Sequence, residues 1–107
     1  MNIQDKNKQI ITKYKQYLKL EKSLSKNTIM AYISDLDKLT AYLEEEGTDI
    51  LDVDLDMLEN FSASLRDIGI HPRSQARILS GIRSFYHFLT IDDYIRQDPT
   101  ELLESPL

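Results

Sequence analysis

Apolar residues recur at every third or fourth position in four separate stretches, and no run of β-branched residues alternates with polar ones between turn signals. A helix gathers such positions onto one face, whereas a strand would divide them between two. The spacing therefore predicts an all-α chain. Ile10, Tyr14, Tyr17 and Leu18 mark a first helix from about residue 5 to 21. Ser25 is a good N-cap for a second, in which Ile29, Tyr32, Ile33, Leu36, Leu39 and Leu43 form one stripe up to Glu46, with Gly47 as the stop. Past the acidic connection TDILDVD, Asp54 caps a third helix carrying Leu55, Leu58, Phe61 and Leu65 and ending before Gly69. His71-Pro72 opens a fourth, whose apolar side is Ile78, Leu79, Ile82, Phe85, Tyr86 and Leu89. Asp98-Pro99 predicts a short fifth helical segment through Leu103, closed by Ser105-Pro106.

At 107 residues the chain, taken as residues 1–107, fits one domain with one core. Four stripes joined by short connections can be buried only against one another, so a compact bundle of four longer helices plus a short C-terminal helix is expected. Tyr14, Tyr17, Tyr32 and Tyr86 fall on the stripes and are expected in the core rather than as stacking platforms. Without cysteine there are no disulfides or thiolate sites. No stretch is apolar enough to span a bilayer, and the opening MNIQDKNKQIITKY lacks a signal-peptide core, so the expectation is a cytoplasmic protein with no membrane partner.

Catalytic chemistry has little to work with. His71 and His87 lie sixteen residues apart, without metal-ligand spacing, and the carboxylates are expected in solvated or capping roles. The loop around Asp49, Asp52, Asp54 and Asp56 lacks the central glycine and terminal glutamate of a calcium loop, and the three glycines form no phosphate cradle. No catalytic residue, metal, cofactor or small-molecule substrate is expected.

The net charge of −5 hides a strong asymmetry: residues 1–34 carry +5, residues 35–71 carry −9 and residues 72–90 carry +3. Charge sorted in this way can give the folded domain one basic and one acidic side. Opposite its apolar stripe, the second helix groups Asn27, Met30, Ala31, Ser34 and Lys38, and the amides of Lys26, Asn27 and Thr28 in its first turn suit a phosphate oxygen. The fourth helix likewise groups Arg73, Arg77, Ser80, Ser84 and His87, with Gly81 at the border. Arginine can pair bidentately with guanine or phosphate, and small polar side chains can bond to base edges or backbone. These faces fit DNA, although any soluble helix has a polar outer face.

Two segments narrow the choice: LSKNTIMAYISDL at 24–36, and SQARILSGIRSFYHFL at 74–89 followed by DPTELLESP at 98–106. They resemble the N-terminal core-binding domain of tyrosine recombinases, nearest to the Xer type and related integrases, through Leu24, Ser25, Asn27, Thr28, Ala31, Tyr32, Asp35 and Leu36, then Arg77, Leu79, Ser80, Arg83, Phe85, Tyr86 and Leu89, then Asp98, Pro99, Ser105 and Pro106. The resemblance implies a SAM-like helical bundle that grips double-stranded DNA as half of a clamp, in assemblies with other recombinase protomers. It places DNA contacts on Asn27, Thr28, Ala31 and Ser34 of the second helix and on Arg73, Ser74, Arg77, Ser80, Arg83 and Ser84 of the fourth. It also implies that the catalytic arginines and tyrosine belong to a C-terminal domain following Pro106, so none of the six tyrosines here is the nucleophile. Leu107 stands where the family often has Lys. The competing reading is a SAM-like or death-domain-like module that binds protein instead, through the acidic region at Glu44, Glu45 and Glu46 or the Lys-rich first helix.

Overall fold

Each helix begins where the sequence offers an acceptor to the N–H groups of its first turn. Asn2 Oδ1 accepts from Asp5 N–H at 2.8 Å, Ser25 Oγ from Thr28 N–H at 3.2 Å, Asp54 Oδ1 from Met57 N–H at 2.9 Å and His71 Nδ1 from Arg73 N–H at 3.1 Å. The computed structural model describes residues 2–104. In it these caps start α1 (Ile3–Leu20), α2 (Lys26–Glu46), α3 (Leu55–Asp67) and α4 (Pro72–Ile91), with one 3-10 turn at Ile50–Asp52 and no strand among the described residues. Gly47 ends α2 in the left-handed conformation, φ 69°, and Thr48 N–H then reaches the Leu43 carbonyl at 2.9 Å. Gly69, φ 86°, does the same after α3, with Ile70 N–H on the Leu65 carbonyl at 3.0 Å.

α4 is the hub. Nine of its 20 residues are buried and it packs against α1, α2 and α3. Around it lie Ile10, Tyr14 and Leu18 of α1, Leu36, Leu39 and Leu43 of α2, and Leu58, Phe61 and Leu65 of α3. Tyr14 meets the Phe85 ring edge-on at 5.1 Å, and Tyr17 meets Phe88 at the same separation. Tyr14 and Tyr86 are buried outright, whereas Tyr17 and Tyr32 pack on the core while half-exposed.

Polar ties fix the elements that the stripes leave loose. Tyr86 donates to the Ile50 carbonyl at 2.9 Å, pinning the 3-10 turn to α4. Gln75 Nε2 donates to both the carbonyl and the hydroxyl of Ser62, linking α4 to α3, while its own Oε1 is buried without a partner. Asp49 is held by Lys6 Nζ at 2.7 Å, Asn7 Nδ2 at 3.1 Å and its own neighbour's Ile50 N–H.

The short C-terminal helix does not form: residues 99–102 make turns instead. Asp98 Oδ1 takes both the N–H and the hydroxyl of Thr100, and Arg83 donates to the Leu103 carbonyl at 2.7 Å. With Thr100 and Leu103 buried, the segment is shaped by its contacts with the bundle, and it is too short to propagate a helix against them. Ser105 and Pro106, read as its stop, lie outside the described residues.

Two outcomes follow. Leu79→Ala, at a position 0 % exposed, should lower the unfolding free energy by about 2–5 kcal/mol in a urea titration. Burial alone would raise the Asp49 carboxyl, but the hydrogen bonds from Lys6 and Asn7, the Lys6 charge and the Ile50 N–H hold it below its ordinary 3.8. Such a group stabilises the fold above its unfolded value, and that contribution is lost as pH falls through the folded one. Stability measured on acidification below about pH 4 should therefore fall less steeply in Asp49→Asn than in the parent chain.

Candidate nucleic-acid interface

α2 and α4 pack together along a seam that includes Gly81 and Asp35. A Cβ added to Gly81 would lie 3.8 Å from the Cβ of Asp35. At this seam Arg77 crosses from α4 and donates through Nη2 to Asp35 Oδ1 at 3.0 Å, and Lys38 Nζ lies 3.6 Å from the same oxygen. The carboxylate side chain is 3 % exposed, that of Arg77 60 % and that of Lys38 39 %. One buried negative charge thus organises two cations at the surface, leaving the trio with a net charge of +1. The expectation that carboxylates are solvated or act as caps fails for Asp35. It lies on the side of α2 that meets α4, and its charge is tolerated there because Arg77 and Lys38 answer it.

The other residues singled out by sequence divide into two groups. Lys26, Asn27, Ala31, Ser34, Arg73 and Ser80 are exposed. Thr28, Ser74, Arg83 and Ser84 are half-buried, and three of these are engaged within the protein. The Thr28 N–H is capped by Ser25, whose hydroxyl also donates to Thr28 Oγ1 at 2.9 Å, so that amide is not available to a phosphate as the sequence suggested. Arg83 holds the Leu103 carbonyl. Tyr14 donates to Ser84 Oγ at 3.0 Å.

Three lysines were missed. Lys15 and Lys19 of α1 join Lys26 and Ser34 around an apolar groove of about 610 Å³ between α1 and α2, floored by Ile29, Met30 and Ile33. On the other flank Lys22 shares an open concavity of about 490 Å³ with Ser80, Arg83, Ser84 and His87, where Asp98 and Glu101 balance the charge. The lysine excess of residues 1–34 was the available signal, but helical spacing alone does not say which lysines of α1 border α2. α2 and α4 are also the two helices with no acid in the first turn, while α1 has Asp5 and α3 has Asp56, so the positive ends of their dipoles are left uncompensated by local carboxylates.

Residues 11–92 match the family described as phage integrase, N-terminal SAM-like domain. The chain belongs to this family. It is also 40 % identical over 98 residues to the tyrosine recombinases XerD of Staphylococcus haemolyticus, Staphylococcus epidermidis and Staphylococcus aureus, an overlap covering 91 % of this chain and 33 % of each relative. The chain spans about a third of the length of these relatives. No solved structure matches it. In this phage-integrase SAM-like domain, then, the all-helical bundle read from the stripes is the family's fold, and the family match covers α2, α3, α4 and the seam that holds Arg77. Among the described residues no helix is long and apolar enough to cross a membrane, and no group of metal-binding side chains occurs.

The Tyr14–Ser84 bond separates structural from surface duty on α4. Burial pushes the Tyr14 phenol up to about 12; the Ser84 hydrogen bond opposes this, and the nearby Tyr32 and Tyr17 add to the rise. A group whose folded value is raised contributes fully below its unfolded value of 10.0, and the contribution is lost as pH climbs toward the folded one. Tyr14→Phe is expected to lower stability by about 0.5–1.5 kcal/mol near neutral pH. Between pH 10 and 12 it should lose less further stability than the parent, as urea titrations across that range would record.

Proposed function

We propose that this SAM-like domain is the DNA-gripping unit of a site-specific tyrosine recombinase or integrase, with residues 1–107 acting as one DNA-binding domain on one side of the duplex. The observation that carries this reading is Arg77, anchored across the α2–α4 seam yet 60 % exposed and flanked by exposed Arg73, Ser80, Asn27, Ala31 and Ser34. Arg73, Arg77, Lys26 and Lys38 neutralise phosphates, and Asn27, Ser34 and Ser80 supply hydrogen bonds to backbone or base edges. Ser74 and Thr28 stand at the starts of the two helices and support the contact from its edges. Arg83 and Ser84 keep the face in shape through their internal bonds.

The partners in this reading are double-stranded DNA and further recombinase protomers, with no membrane and no small-molecule substrate. Strand cleavage through a covalent phosphotyrosine falls to a separate catalytic domain. Tyr14 and Tyr86 are ill-suited to the nucleophile's part, since burial raises both phenols and favours their neutral form. One observation favours a protein partner instead: the Lys-rimmed groove between α1 and α2, with Met30 60 % exposed.

Mobility shifts with duplex DNA over a salt series decide between the two. DNA gripping predicts affinity that falls steeply with salt, and an Arg73→Ala/Arg77→Ala variant whose log–log salt slope is shallower by about 0.9 for each phosphate contact removed. Binding equal to that of the parent chain would overturn the assigned face. No DNA shift together with concentration-dependent association in light scattering would favour the protein-binding module.

A further inference from the structure

We infer that Asp35 is a positioning residue of the DNA face, its buried carboxylate fixing the Arg77 guanidinium in the arrangement in which it meets the duplex. The inference rests on the DNA-gripping reading and assigns a task to a residue that makes no DNA contact itself.

Asp35 is 2 % exposed, the one charged residue buried among those described. A carboxylate in that setting is a poor choice for stability alone, because its desolvation offsets most of what pairing returns and a well-packed apolar side chain often serves as well. Its partners explain its presence better. Arg77 commits one Nη2 donor to Asp35 Oδ1 at 3.0 Å, and a guanidinium has five N–H donors in a rigid fork. Four remain for phosphate or guanine, on a side chain still 60 % exposed. A long arginine left to itself samples many rotamers, and ordering it on binding opposes association. Here the ordering is done in the free protein, from a helix 42 residues earlier in the chain. Lys38, 3.6 Å from the same oxygen, keeps a second cation beside the first.

Charge gives the inference a sign that a simple electrostatic role lacks. Asp35→Asn removes a negative charge beside the DNA face, so Coulomb attraction alone predicts tighter binding. Positioning predicts weaker binding, and only while Arg77 is present. The test is a double-mutant cycle read by fluorescence anisotropy with a short labelled duplex at fixed salt, using the parent chain, Asp35→Asn, Arg77→Ala and the double variant. Asp35→Asn should weaken binding roughly three- to tenfold in the parent, whereas in the Arg77→Ala background, where only the charge effect is left, it should leave binding equal or slightly tighter.

Equal or tighter binding by Asp35→Asn, or the same loss in both backgrounds, overturns the positioning role while leaving the DNA face standing. If Arg77→Ala binds as the parent does, the DNA face itself falls and the inference with it. Side-chain NMR of Arg77 in the unmodified free protein supplies a measurement that does not depend on any variant folding. Slow guanidinium rotation is expected, and rotation as fast as that of a free arginine side chain overturns the inference.

Discussion

A helix with nine of its twenty residues buried leaves only a narrow strip for solvent, and α4 is such a helix. Because α1, α2 and α3 all pack on it, the core is built around its buried side chains Ile78, Leu79, Ile82, Phe85, Phe88 and Leu89. The hydrophobic effect is indifferent to direction, so it brings the helices together without saying how they sit. Orientation comes from the specific polar links: Tyr86 to the Ile50 carbonyl, Gln75 to Ser62, Tyr14 to Ser84 and Arg77 to Asp35.

The same constraint shapes the surface. With so much of α4 buried, what it shows outward between its ends is Arg73, Arg77, Ser80 and His87, a polar strip without acid, while Pro72 and Ile91 are exposed at its two ends. α2 lies beside it and adds Asn27, Ala31 and Ser34. Of the eighteen acidic residues behind the whole-chain charge of −5, eight fall between Glu44 and Glu59 and none between residues 72 and 90. A protein that is acidic on average can therefore carry a face whose residue types suit phosphate.

Much of the fold was legible because its signals are local. Ser25, Asp54 and His71-Pro72 mark starts and Gly47 and Gly69 mark stops within a turn of the helix they govern, and all of them hold. The segment after Asp98 was misread for the complementary reason. Asp-Pro is a helix start only if the following turn is free to propagate, and here Arg83 and the core hold the chain through Leu103 and Thr100. The candidate face was legible as residue types at helical spacing. Which of those residues stay free was not, because Arg83, Ser84 and Thr28 look no different in sequence from Arg73, Ser80 and Asn27.

What the sequence by itself determined is therefore what period and capping can carry: four helices, the stripe each buries, and two polar strips rich in Arg, Ser and Asn. Tertiary structure alone decided the pairings, since Arg77 finds Asp35 across 42 residues, Ser84 meets Tyr14 across 70 and Arg83 meets Leu103 across 20. Helical spacing reports which residues share a face of one helix. It carries no information about the neighbour that the face will meet, and a carboxylate one step off the apolar stripe, like Asp35, becomes a buried anchor only once α4 packs over it with an arginine in register.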